Sequence, residues 1–291
     1  MPEPSLASSS TGGVDLHTHS AFSDGVLSPA KLVQMAAAAG ISALGLTDHD
    51  TTAGLGEAEA EASRLGLLLV PGVELSTGDD GDDVHLLAYY IDRHDDRLQR
   101  ALQRFVGERS ARLDRIVERL AGAGVTLDAA RVRELGGLGT VGRPHVARAM
   151  IEAGYVSSIT EAFERYLRRG QPGFVPRPKV RPEDVIAVVN GAGGIPVLAH
   201  PLSVVDITAT LSRLVPAGLK GMEVYYGEYD DGARTALRQL ADEWNLIPTG
   251  GSDFHGVGFK AGRDLGDPSV PFESVERMRV LAGSIHGGLP R

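Results

Sequence analysis

Seven short apolar runs punctuate the chain, and each closes on polar or charged residues: GVDLHTH, ISALGLTDHD, LLLVPGVELS, VHLLAYYID, IPVLAHP, GMEVYYG and NLIPTGGSDFH. Helical signals lie between them. The clearest runs from Ser28 to Ala39, where Ser28 can accept from the free amides of a first turn, Pro29 suits the first helical position, and Gly40 suits the left-handed exit. Gly54 to Leu65, Pro182 to Asn190 and Asp231 to Trp244 read as helices too. Strand alternating with helix predicts parallel strands joined by helical crossovers. Seven such strands suit an α/β fold of the barrel kind better than an open sheet.

Between about Asp95 and Lys179 the rhythm breaks. Leu98, Leu102, Phe105, Leu113, Ile116, Val117 and Leu120 recur at helical spacing with Arg and Glu between them, which predicts one long amphipathic helix. GRPHVARAMIEAGY and TEAFERYLRRG predict two more, with no strand signal among them. The expected organisation is a tail over 1–13, a barrel over 14–95 and 180–291, and a helical insertion over 96–179 that walls or caps the barrel mouth.

Composition narrows the chemistry. The 291 residues, 42% hydrophobic, suffice for a full core, and no apolar run is long enough to span a membrane. The opening MPEPSLASSSTGG lacks the basic start and apolar centre of a secretory signal, so a disordered tail on a soluble cytoplasmic protein is expected. Cysteine is absent, which removes disulfides, thiolate metal sites and a cysteine nucleophile. A net charge of −9 argues against a stable complex with nucleic acid or acidic membranes. It leaves anionic small substrates open, because bound divalent ions reverse the local sign.

Six of the nine histidines, His17, His19, His49, His85, His200 and His255, lie at the ends or beginnings of the strand runs. One histidine so placed is ordinarily a hydrogen-bonded structural residue; six together are not. Asp24, Asp48, Glu74 and Asp253 sit in the same kind of position. His17 and His19 are two apart, so a strand points both the same way. In β/α barrels the C-terminal strand ends converge on one face, and five of the six histidines fall there. His85 is the exception, since it opens its run. Nitrogen and oxygen donors without thiolate suit zinc, manganese or iron, and the donor count suits two or three ions.

HTHSAFSDG, GLTDHDT, PGVELS, LAHP and GSDFH, in this order, resemble the signature stretches of the PHP (polymerase and histidinol phosphatase) family of metal-dependent phosphoesterases. GRPHVARAM inside a helical insertion further resembles its small bacterial branch, which hydrolyses nucleotide 5′-phosphates and 3′,5′-bisphosphates and trims RNA from the 5′ end. The resemblance implies a distorted seven-stranded barrel with a trinuclear site, and it supplies the support that His85 lacks. It implies that His17, His19, Glu74 and Asp253 hold one ion, that Glu74 bridges to a second with His85 and His200, and that Asp24, His49 and His255 hold a third. Three divalent ions against three carboxylates leave an excess positive charge that favours a phosphate dianion. Ions about 3.5–4 Å apart activate water for an in-line attack, so no protein nucleophile is required.

Arg143 and His145, at a helix start, are expected to bind the substrate phosphate and take part in catalysis, with His145 placed to protonate the departing ribose oxygen. Lys179 and Ser20 complete the expected substrate contacts; Ser20 and Asp48 are also read as partners that orient ligands. His94 and His286 read as surface residues, and Gly250 and Gly251 as points of close backbone approach. The competing functions are a histidinol-phosphate phosphatase, a C–N hydrolase of the amidohydrolase kind, and a non-enzymatic metal-binding regulator. An amidohydrolase commonly bridges its metals with a modified lysine on a middle strand, and VPGVELS and VHLLAYYID contain none.

Overall fold

A computed structural model describes residues 12–79, 82–137, 139–176 and 180–286. Seven strands form one sheet in chain order: β1 (Gly13–Thr18), β2 (Ile41–Leu46), β3 (Leu68–Asp79), β4 (Asp82–Tyr89), β5 (Ile195–Leu198), β6 (Gly221–Tyr226) and β7 (Ile247–Gly251). The seam between β1 and the chain after β7 is closed by backbone bonds from Asp253 N to His17 O (2.9 Å) and His19 N to Phe254 O (2.9 Å). Asp15, fully buried, stitches it further by accepting from Ser252 Oγ (2.5 Å) and Gly266 N (2.8 Å). The backbones approach so closely that a Cβ on Gly251 would lie 2.4 Å from His17 N, and one on Gly250 would lie 1.9 Å from Tyr225 O. The result is a nearly closed α/β barrel.

The expected all-parallel sheet needs one correction. β4 runs antiparallel to both β3 and β5. A reversed strand begins where its neighbours end, so His85, in the first half of β4, lies toward the same barrel end as the C-termini of the parallel strands. That accounts physically for the one histidine at the wrong end of its run.

Helices α1 (Pro29–Ala38) and α2 (Leu55–Leu65) follow β1 and β2; Ser28 caps α1 by accepting from Lys31 N. Four helices lie between β4 and β5 before the crossover: α3 (Asp96–Gly122), α4 (Ala129–Leu135), α5 (Arg143–Glu152) and α6 (Ile159–Ala162). The segment TEAFERYLRRG is not one regular helix, because α6 passes into a π-helical turn over Phe163–Leu167. Then come α7 (Pro182–Gly191), α8 (Ile207–Leu214), α9 (Asp231–Glu243) and α10 (Phe272–His286). Sequence patterning had not marked α4, α8 or α10.

α3 serves two cores. Leu98, Leu102 and Phe105 pack with the barrel residues Val73, Leu75 and Leu86. Leu113, Ile116 and Leu120 instead nucleate a separate cluster with Val132, Val146 and Met150 of the insertion. Of the expected tail, residues 1–11 lie outside the described residues, and Gly13 already belongs to β1. Among the described residues no helix is long and apolar enough to cross a membrane.

Candidate metal centre

All nine residues named as ligands converge at the end of the barrel where β1, β2, β3, β5, β6 and β7 terminate and β4 begins. Glu74 is the hub. Its Oε2 lies 3.2 Å from His17 Nε2, 3.3 Å from His19 Nε2 and 3.1 Å from His49 Nδ1, while Oε1 lies 2.5 Å from His85 Nδ1 and 3.2 Å from His200 Nε2. Asp253 Oδ1 lies 3.1 Å from His19 Nε2 and 3.5 Å from His17 Nε2. Asp24 faces His255 Nε2 at 3.2 Å and His49 Nε2 at 3.7 Å. Among the described residues three donor groups result: His17, His19 and Asp253; His49, Glu74 and His85; and His19, Asp24, His49 and His255. His19 and His49 each border two groups.

The donor set fits divalent ions. Asp24 Oδ1 and His49 Nδ1 are buried next to oppositely disposed groups, yet make no hydrogen bond. Buried polar atoms are ordinarily satisfied, so side chains that meet at about 3 Å without bonding are arranged around a common point. The electrostatics agree. Burial opposes charge on His17, yet Glu223, Asp253 and Glu74 push its pKa well above the ordinary value. His19 is pushed up to about 10 against the same burial penalty, through Asp253 and Glu74. Glu74 stays far below the usual carboxylate range despite burial because His49, His85 and His17 surround it. Asp24 behaves likewise, held down by His255 and His49. The centre gathers three ionised carboxylates, Asp24, Glu74 and Asp253, among six imidazoles, a donor set in which cations can take the place of the histidine protons.

Partners behind the donors fix their orientation. Glu223, buried in β6, accepts from His17 Nδ1 (2.9 Å) through Oε1 and from the His200 amide (2.7 Å) through Oε2. The His17 ring therefore presents Nε2 to the centre. His255 donates Nδ1 to the Asp253 carbonyl (2.8 Å), and His200 Nδ1 meets Ser203 Oγ at 2.9 Å. Asp253 Oδ2 is engaged by Tyr226 OH and Arg263 Nη1, both at 2.7 Å, which leaves Oδ1 facing the histidines. Sequence reasoning missed Glu223, Tyr226 and Arg263. A carboxylate inside the apolar run GMEVYYG was a usable signal, since buried charge requires a partner.

Above the donors opens a cavity of about 710 Å³. Arg143 lies on its wall, its guanidinium 5.6 Å from the Phe163 ring centroid. His145 does not line it: the side chain is 1% exposed, and Nδ1 accepts from the Gly142 amide at 3.0 Å, which leaves the ring's donor on Nε2. Ser20 is fully buried with its hydroxyl donating to Asp48 Oδ2 (2.6 Å), so it is placed behind the donors and off the cavity wall. The Asp48 carboxylate also takes the Ser20 amide and Ser23 Oγ, each at 2.7 Å, and so braces the turn that leads to Asp24. Lys179 lies outside the described residues. His94 is exposed.

Burial lowers the His145 pKa to about 4, outweighing the pull of Asp24. Between pH 6.5 and about 4 the unfolded chain therefore takes up a proton that the folded chain refuses. Stability should fall as pH drops through this window, by up to roughly 3 kcal/mol from this residue. Urea midpoints of metal-free protein at pH 7, 5.5 and 4.5 should show a shallower decline for His145→Gln than for wild type. Parallel declines would refute this.

The PHP domain model matches residues 15–121. A 5′-3′ exoribonuclease of Haemophilus influenzae is 37% identical over 246 residues, covering 83% of this chain and 89% of its own. The chain belongs to the PHP family. A 3′,5′-nucleoside bisphosphate phosphatase of Chromobacterium violaceum is likewise 37% identical, over 262 residues, 87% of this chain and 90% of its own. Among solved structures, one from Bifidobacterium adolescentis assigned as a metal-dependent phosphoesterase superposes with a TM-score of 0.83 at 31% identity, covering 93% and 96% of the two chains. Another, an amidohydrolase from Chromobacterium violaceum with bound sulfate and no metal, gives 0.82 at 32% identity, covering 91% and 96%. As a PHP phosphoesterase, the protein is a hydrolase of phosphate esters.

Proposed function

We propose that this PHP protein uses two to three divalent ions, of manganese, zinc or iron, to remove the terminal phosphate of AMP, nucleoside 3′,5′-bisphosphates or short 5′-phosphorylated RNA. The observation that carries the reading is the nine-donor centre on the floor of a cavity whose wall presents Arg143. When bound, such ions lower the pKa of water and neutralise phosphate oxygens during in-line displacement. The chain's own residues do the rest. His17, His19, Glu74 and Asp253 would hold one ion, Glu74 with His85 and His200 a second, and Asp24, His49 and His255 a third.

Arg143 grips a phosphate with its planar fork. His145, kept neutral by burial and protonated on Nε2, acts as a hydrogen-bond donor near Asp24; a neutral imidazole is a poor source of a proton for the leaving oxygen. Residues 96–179 carry sixteen Arg and Lys against nine Asp and Glu, a surplus of seven in a chain of net charge −9. The acidic barrel thus wears a basic cap, which steers phosphate esters toward the mouth. Relatives described as an exoribonuclease and a bisphosphate phosphatase support nucleotide esters over histidinol phosphate. The positions facing the centre from β3 and β4 are Glu74 and His85, with no lysine, which counts against C–N hydrolysis.

The test is phosphate release from AMP, 3′,5′-bisphosphoadenosine, histidinol phosphate and a short 5′-phosphorylated RNA. A nucleotide should be turned over best. Arg143→Ala should leave metal content intact and lower kcat/KM by about ten- to a hundredfold, the scale of a charge-assisted bond to phosphate. Arg143→Lys should recover only part, and the bisphosphate should suffer more than AMP if Arg143 grips the non-reacting group. Preference for histidinol phosphate, or unchanged kinetics in Arg143→Ala, would overturn the assignment.

A further inference from the structure

The loops that carry Asp24 and His49 are held from outside the barrel. Arg148 of α5 donates Nη2 to the Asp24 carbonyl at 2.7 Å. Thr140, buried, donates Oγ1 to the His49 carbonyl at 2.8 Å, and its amide donates to the Phe22 carbonyl at 2.9 Å. Gly139 is so close to the same loop that a Cβ there would lie 2.3 Å from Phe22 O. Arg109 of α3 reaches the same region, paired with Asp50 beside His49 and donating to Ser76 Oγ at 2.7 Å. His255 is different, since its ring is fixed on the Asp253 carbonyl within the barrel.

We infer that the helical insertion is a structural part of the Asp24–His49–His255 cation site, with Gly139, Thr140 and Arg148 as positioning residues that set where Asp24 and His49 stand. This rests on reading that group as a metal site. Three contacts fall on the carbonyls of Phe22, Asp24 and His49, and so fix backbone rather than side chain. The Asp24 and His49 side chains, 3.7 Å apart, keep their spacing because the insertion spans both loops. An ion drawing the two together also draws the insertion down, and with it Arg143, three residues from Thr140. The coupling is reciprocal: the free energy that docking adds to ion affinity equals the free energy that the ion adds to docking.

Manganese binding to the full chain, measured by equilibrium dialysis with elemental analysis, tests this in wild type, Asp24→Asn, Thr140→Val and Arg148→Met. Asp24→Asn identifies the class of ion that this group binds. Thr140→Val should weaken that class about three- to tenfold and Arg148→Met about ten- to a hundredfold, on the scale of a neutral and a charged hydrogen bond, with the other classes unchanged. In wild type, hydrogen exchange of amides 139–148 should slow as that class fills, and in Asp24→Asn it should not. The exchange comparison does not depend on either insertion variant folding. If Asp24→Asn binds manganese as wild type does, the metal reading of the group fails and the inference with it. If Asp24→Asn loses a class while both insertion variants retain it at full affinity, or exchange at 139–148 ignores the metal, the metal reading stands and the inference is overturned.

Discussion

Glu74→Gln should lower phosphate release by at least about a hundredfold and reduce bound metal, within the range seen when a metal site is damaged. The substitution keeps shape and removes charge. Glu74 is 1% exposed, and its two oxygens face five imidazoles, three through Oε2 and two through Oε1. A carboxylate can hold a cation on each oxygen; an amide offers one oxygen and a nitrogen that repels the second cation. Turnover and metal content measured together, with circular dichroism as the check on folding, decide the matter. Near-normal turnover in a folded variant would make Glu74 a structural residue.

Chelation should have the other large effect. Protein stripped by a chelator should lose phosphate release to below about one hundredth, and manganese should restore it. The stripped protein should also melt earlier. An ion present at a hundred times its Kd adds about 2.7 kcal/mol to the folded state. For a chain of this size that corresponds to a rise of roughly 4 °C in Tm for each class filled. Scanning calorimetry against manganese concentration reads this directly. Activity that survives exhaustive chelation would exclude the metal mechanism, and a Tm indifferent to manganese would show that the nine donors do not hold it.

The donor set was legible because each strand run ends on chemistry: HTH after Val14 and Leu16, DHD after Leu46, SDFH after Gly251. The direction of β4 was not. Periodicity reports which face a residue takes, never which way the strand runs, so His85 looked misplaced until its pairing with β3 and β5 was seen. Arg109 and Arg112 were hidden for another reason. Both lie in the Arg-rich α3, where helical spacing marks them as solvent-facing, yet Arg109 is half-buried and paired with Asp50, and Arg112 is 6% exposed with Nε on the Val175 carbonyl at 2.8 Å. Their burial comes from segments distant in sequence, which local pattern does not register. Ser20 shows the converse, a polar residue in a signature stretch whose hydroxyl serves Asp48 and not the cavity.

The 27 residues of α3 make a rod about 40 Å long. Its first half packs one apolar face against the barrel and its second half is the spine of the insertion. A cover hung on flexible linkers can swing; one cantilevered from a continuous helix moves only if the helix bends or its first half leaves the barrel. The insertion therefore approaches the centre only as far as this rod bends, so the docking expected when the Asp24–His49–His255 group fills is a flexing of the rod. On the proposed function, phosphate esters are then sorted at the threshold, by what fits beneath an overhang that yields by bending and does not swing clear.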